Sequence, residues 1–188
     1  EAGVTPSSIL SGVRNTDFSV PIAVMTYYNI IHHAGHERFA KELRENGIAA
    51  SIIPDLQLDE ATDWISVAAG NGIENVLLAA PSTPPERLKR LADNSRGFVY
   101  GVGHMGVTGE RASLADSASE IAKRLKECTE KPVLVGVGVS NAEQAAIVSQ
   151  VSDGVIVGSA LVRRLLEGGG PEGAFEFIRE LRNGLDGA

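Results

Sequence analysis

Apolar residues arrive along the chain in short bursts separated by longer amphipathic stretches. Pro21-Ile22-Ala23-Val24-Met25 is a short continuous run, the pattern of a strand buried on both faces. Gly35 to Glu45 sets Phe39 and Leu43 four apart among Glu37, Arg38, Lys41, Glu42 and Arg44, an amphipathic helix closed by Asn46-Gly47. Ala50-Ser51-Ile52-Ile53 reads as strand stopped by Pro54, and Asp59 to Ala69 as helix ended at Asn71-Gly72. Val76 to Ala79 is strand, and Thr83-Pro84-Pro85-Glu86 has capping-box spacing with proline at the first helical position. Phe98 to Val102 is strand, and Ser113-Leu114-Ala115-Asp116 starts a further helix. Pro132 to Gly136 is strand, Asn141 to Ser149 helix, and Val155 to Val157 strand. A short helix from Ala160 to Leu166 breaks at Gly168-Gly169-Gly170-Pro171, and a last one runs from Glu172 to Arg182.

This is six strand–helix units, preceded by a helix at Thr5 to Val13. Such alternation, at about thirty residues per unit, predicts a parallel sheet with right-handed crossovers. An open doubly wound sheet and a (β/α)8 barrel both satisfy it, and both bind ligands at the carboxyl ends of their strands. The chain shows no linker or low-complexity tract, so residues 1–188 read as one domain.

Composition narrows the function classes. The chain has 188 residues, 43% of them hydrophobic and 22% charged, which is ordinary globular usage. No run approaches 18 apolar residues, so no membrane span is expected. A net charge of −7 argues against nucleic acid, whose phosphates need a basic face. The single cysteine, Cys128, has no partner for an internal disulfide, which points to a reducing, cytoplasmic setting. Near the end of an amphipathic helix it reads as a packing thiol rather than a nucleophile. Trp64 reads as a helix residue packed on the sheet. The chain begins Glu1-Ala2-Gly3, with neither initiator methionine nor signal peptide.

Candidate chemistry lies in the loops after the strands. Gly103 to Arg111 is glycine-rich, so its backbone N–H groups can approach an anion closely. Gly136-Val137-Gly138-Val139-Ser140 ends one strand ahead of a helix, and Gly158-Ser159-Ala160 ends the next. Two successive helix N-termini of this kind form a phosphate cradle, and in barrels it is built from the last two strand loops. Tyr27, Tyr28 and Asn29 follow the first strand, and Asp55 the second. The tyrosines can flank a flat substrate or form a rim. Asp55 can accept a proton or a hydrogen bond, or simply form a Pro-Asp turn. Tyr100, inside a strand, fills the interior or aims its hydroxyl at substrate. His32, His33, His36 and Glu37 have metal-like spacing but no HExxH order, so a solvated helix start is expected and no metal.

Taken in order, Val24-Met25-Thr26-Tyr27-Tyr28-Asn29, Ile53-Pro54-Asp55-Leu56, Gly97-Phe98-Val99-Tyr100, Met105-Gly106-Val107-Thr108-Gly109, Gly136 to Ser140 and Asp153 to Ala160 resemble the α subunit of tryptophan synthase. The resemblance runs from Glu1 to the C-terminal helix. It implies a (β/α)8 TIM barrel with about six of the eight units present. It also implies cleavage of indole-3-glycerol phosphate to indole and glyceraldehyde 3-phosphate in tryptophan biosynthesis. In that family the indole passes to a β subunit that carries pyridoxal phosphate, within an α–β heterotetramer, and the α subunit has no cofactor of its own.

By the resemblance, Gly109, Gly138, Gly158 and Ser159 hold the substrate phosphate. Tyr27 and Tyr100 line the pocket, and Met25, Ile52, Leu78 and Val137 form its apolar wall. Thr108 supports a catalytic aspartate, and Asp55 and Gln57 lie toward the β subunit. Gln57 and Ile30 stand where the family commonly has proline. The family's acid and base, a glutamate and an aspartate, have no matching position in this sequence and are expected upstream of Glu1. A barrel of this class typically needs about 250 residues. The reading is therefore one TIM-barrel domain over residues 1–188 lacking its first two strands, inactive in cleavage by itself. A non-catalytic chain that binds phosphate and activates the β subunit is the alternative. Another phosphate-handling barrel is a third reading; a Schiff-base aldolase would want a strand-end lysine, whereas Lys131 precedes its strand.

Overall fold

The computed structural model describes residues 3–103, 111–136 and 138–187, and for 111–116 the backbone only. Its residues group into two compact units, Glu1–Leu77 with Asn94–Gly97, and Leu78–Asp93 with Phe98–Ala188.

The first unit opens with helix α1 (Pro6–Arg14), started by proline and a reciprocal cap. Thr5 Oγ1 accepts the Ser8 N–H at 3.2 Å, and Ser8 Oγ accepts the Thr5 N–H at 2.9 Å. Strands β1 (Ile22–Met25), β2 (Ile48–Ile52) and β3 (Glu74–Val76) form a parallel sheet in that order. Helices α2 (Tyr28–Ala34) and α3 (His36–Glu45) join the first two strands, and α4 (Thr62–Gly70) leads to the third. The apolar stripe of α3 is buried as its spacing predicts: Phe39, Ala40 and Leu43 join Leu10, Ile31, Ile48, Trp64 and Ile73 in one core. Each such large side chain contributes about 1.5–3 kcal/mol on burial. A polar layer crosses this core: Trp64 Nε1 donates to Ser51 Oγ at 3.2 Å, and Ser51 Oγ to Asn75 Oδ1 at 3.0 Å. Ser95 Oγ accepts the Leu77 N–H at 3.0 Å.

In the second unit β4 (Leu78–Ala79), β5 (Val99–Val102), β6 (Val133–Gly136) and β7 (Gly154–Val155) pair in parallel in chain order. Helices α5 (Pro85–Asn94), α6 (Arg111–Lys126) and α7 (Ala142–Ser149) connect them. Ile121 and Leu125 of α6 and Val99, Val133 and Val135 of the strands are fully buried. After β7 come α8 (Ser159–Arg164), a kinked turn Leu165–Gly169 and α9 (Gly170–Asp186). The kink needs glycine, because Gly168 has φ +91° and Gly170 φ +53°.

Each expected strand is present, with three local corrections. The strand expected at Val76–Ala79 starts earlier and is interrupted at Leu77; its first part pairs with β2 and its second with β5. Strand β1 is not buried on both faces: Ile22 and Val24 are half-buried, while Ala23 and Met25 are exposed. It is the edge of its sheet, and the described residues of its unit leave that face open. The capping box at Thr83 does not form, because Thr83 Oγ1 accepts the Ala80 N–H at 3.0 Å instead, and α5 starts at Pro85.

Candidate substrate site

The residues expected to meet substrate fall in both units. In the first, Met25 and Ile52 are register partners at the carboxyl ends of β1 and β2, bridged by Thr26 N–H donating to Ile52 O at 3.1 Å. Ile52 is buried, whereas Met25 is 57% and Tyr27 66% exposed, so the wall they were expected to form is open on that side. Asp55 lies in the expected Pro-Asp turn, closed by Leu56 N–H donating to Ile53 O at 3.3 Å, and its carboxylate is engaged as well. Its Oδ1 accepts the backbone N–H of Tyr28, the first residue of α2, at 2.9 Å. A carboxylate there satisfies an orphan amide and complements the positive end of the helix. It ties the loop after β2 to the loop after β1 and fixes the entry of the Tyr27–Tyr28 segment. Gln57 is exposed, and its carbonyl accepts the Glu60 N–H at 2.9 Å.

The histidines sit with this segment. Tyr28 Oη and His36 Nε2 are 3.0 Å apart, and the His36 ring meets Trp64 edge-on at 5.8 Å. His32 and His33 lie exposed in the last turn of α2 rather than at a helix start, and His36 opens α3. Among the described residues no group of three or more His, Cys, Asp or Glu is arranged to hold a metal ion. Cys128 is half-buried, its thiol donates to Leu125 O at 3.2 Å, and burial pushes its pKa up, as for a packing thiol.

In the second unit Leu78 and Tyr100 are register partners on β4 and β5. The Tyr100 phenol lies on the neighbouring β6 at Gly136. A Cβ on Gly136 would stand 2.4 Å from Tyr100 Oη and 2.8 Å from its ring, so only glycine leaves room. Burial raises the Tyr100 pKa, so the phenol stays protonated at neutral pH and can donate a hydrogen bond. Sequence reasoning took Gly136 as part of a phosphate loop. A glycine inside a strand also signals close approach, and that signal finds the Tyr100 contact.

Beyond Gly136 the chain turns through exposed Gly138, at φ +51°, into α7. The start of α7 is closed by its own side chains: Asn141 Oδ1 accepts the Gln144 N–H at 2.9 Å, and Gln144 Oε1 accepts the Ser140 N–H at 2.8 Å. Helix α8 begins differently. Gly158 is its N-cap, no described side chain caps it, and Ser159 stands exposed at its first position. Its leading amides therefore offer donors at the positive end of a helix. Thr108, Gly109 and Val137 lie outside the described residues.

The family model for the tryptophan synthase alpha chain matches residues 1–182. The chain belongs to the tryptophan synthase alpha chain family. Among its relatives, the alpha chain of Bifidobacterium longum is 46% identical over 147 residues, 78% of this chain and 50% of that protein. That of Streptomyces coelicolor is 42% identical over 181 residues, 95% of this chain and 67% of the relative. A solved tryptophan synthase from Mycobacterium tuberculosis superposes with TM-score 0.88 at 39% identity, covering 97% of this chain and 70% of that one. The alpha subunit from Campylobacter jejuni gives 0.85 at 30%, covering 95% and 72%. The chain thus spans half to about three quarters of the length of these family members. Its fold is the α/β class of these neighbours, the (β/α)8 barrel, and the described residues carry six of the strand positions, one of them interrupted. No described helix is long and apolar enough to cross a membrane.

Proposed function

We propose that this chain supplies the substrate-holding part of an alpha-chain lyase site, in which indole-3-glycerol phosphate is cleaved to indole and glyceraldehyde 3-phosphate. The observation that carries the reading is the open start of α8, headed by Gly158 and exposed Ser159, in a chain of this family. In this reading the phosphate sits against the amides of Gly158 and Ser159, with Gly138 and Gly109 completing the cradle. Backbone donors suit a phosphate without a cationic side chain. For the indole, this reading assigns Met25, Ile52 and Tyr27 within the first unit and Leu78, Val137 and Tyr100 within the second.

Cleavage of the bond between the indole ring and the glycerol carbon needs an acid that protonates the ring carbon and a base that takes the hydroxyl proton. The protonated Tyr100 phenol serves as a donor in this scheme and not as the base. Asp55 is engaged with the Tyr28 amide and positions its loop. Neither proton-transfer role is assigned to a described residue; Thr108 supports the group that fills one of them. The product indole passes to a β subunit holding pyridoxal phosphate, with Asp55 and Gln57 on the side that faces it and no cofactor assigned to this chain.

Calorimetric titration with glycerol 3-phosphate, indolepropanol phosphate and unphosphorylated indolepropanol tests the binding half. Saturable binding that requires the phosphate is expected, and equal binding of the two indole compounds would overturn the cradle. Indole release from indole-3-glycerol phosphate, with and without added β subunit, tests the lyase half. Phosphate-dependent binding without release under either condition would reduce the role to binding and activation.

A further inference from the structure

Arg124 lies on the last turn of α6, half-buried, and its guanidinium donates to two backbone carbonyls of the turn that follows β4. One terminal nitrogen reaches Pro81 O and the other Thr83 O, the second at 2.5 Å. The same turn is pinned from within, because Thr83 N–H donates to Ala80 O at 2.8 Å while Thr83 Oγ1 accepts the Ala80 N–H. Two N–H groups in a rigid planar fork match two carbonyls of one short turn, a geometry that a lysine ammonium cannot reproduce.

This contact is not explained by helix electrostatics. At the far end of α5 the Lys131 ammonium donates to Ala92 O at 2.6 Å and Asp93 O at 3.0 Å, where a cation complements the negative helix end. Arg124 sits at the opposite end, just ahead of Pro85, where the helix dipole opposes a cation. What it gains there is the turn itself. That turn continues the strand bearing Leu78, whose register partner is Tyr100. Helix α6 packs on β5 and β6, the strands bearing Tyr100 and Gly136.

We infer that Arg124 is a positioning residue for the apolar side of the substrate pocket, holding the Ala80–Thr83 turn so that Leu78 stays in place beside Tyr100. This rests on the proposed function, in which Leu78 and Tyr100 meet the indole and the phosphate is held elsewhere. It separates the two halves of the ligand: loosening the turn weakens the indole end and spares the phosphate end.

The test compares the unsubstituted chain with Arg124→Lys and Arg124→Ala, each first checked for native circular dichroism. In Arg124→Ala, amide exchange at Ala80 and Thr83 is expected to rise about tenfold or more, the scale of losing charge-assisted bonds, with Arg124→Lys intermediate. Affinity for indolepropanol phosphate is expected to fall about tenfold and that for glycerol 3-phosphate less than about twofold. Unchanged exchange, or an equal loss for both ligands, overturns the inference. If Arg124→Ala does not fold, Arg124→Lys carries the same comparison with smaller shifts. If the unsubstituted chain binds neither ligand, the functional reading fails. Exchange at Ala80 and Thr83 then still decides whether Arg124 holds the turn, and unchanged rates reject it.

Discussion

Helices α7 and α8 follow consecutive parallel strands, yet their first turns are built in opposite ways. Asn141 and Gln144 close the start of α7 with side-chain bonds to the backbone, while Gly158 leaves the start of α8 without a side-chain cap. The strands feeding them differ as well. Gly136, at the end of β6, is filled over by the Tyr100 phenol, whereas among the described residues none beyond its chain neighbours comes within 4 Å of a Cβ placed on Gly158. Two loops that look alike as glycine motifs therefore do different work. One is closed and packed; the other has no cap from a described side chain, and it is where the proposed reading puts the phosphate.

The packed loop is the place for the largest effect. Gly136→Ala puts a methyl group into the Tyr100 ring and should cost about 1–3 kcal/mol, read by urea denaturation. If the contact is the cause, the same change costs clearly less in a Tyr100→Ala background; equal costs in both would show the cause lies elsewhere. Next comes the cap. Asn141→Ala should lose about 1 kcal/mol of stability and leave glycerol 3-phosphate affinity unchanged, so a loss of affinity would erase the distinction between the two helix starts. Ser159→Ala is its mirror image: a threefold to tenfold loss of affinity, roughly one hydrogen bond, at an unchanged unfolding midpoint.

The smallest effect concerns the opposite ends of the same two strands. Asp153, just before β7, accepts the Val133 N–H at 2.8 Å and the Lys126 ammonium at 2.9 Å, and these lower its pKa, the backbone bond foremost. A carboxyl whose folded pKa is depressed contributes stability above its unfolded value, about 3.9, and loses it as pH falls through the folded one. The stability of the natural chain relative to Asp153→Asn should thus be constant from neutral pH to about 5 and shrink below about 4. The pair is half-exposed, so salt should reduce the difference, and a pH-independent difference would contradict the assignment.

Most of the scaffold could be read from periodicity, because helices such as α3, α5 and α9 carry buried apolar stripes and β5 and β6 their apolar runs. The α3 stripe of Phe39 and Leu43 and the Asn141 cap are local signals, and both hold. Helix α2 escaped such reading because its first amide is satisfied by Asp55, 27 residues away. The Thr83 cap failed for a related reason: its hydroxyl had a nearer partner in the Ala80 amide. Within the site, the glycines announced themselves, but only geometry separates Gly136, which makes room for a ring, from Gly158, which leaves amides bare. Arg124 carried no sequence signal, since its partners are backbone carbonyls that any residues would supply.

Trp64, the one tryptophan of the chain, lies in the first unit, 1% exposed, with its indole N–H held by Ser51 and its ring edge-on to His36. Its emission therefore reports on that unit alone. Far-UV circular dichroism weighs the long helices α6 and α9 of the other unit. The two optical signals, followed through one denaturant series, give separate melting curves for the two halves of the molecule, and their coincidence or separation measures how far those halves unfold together.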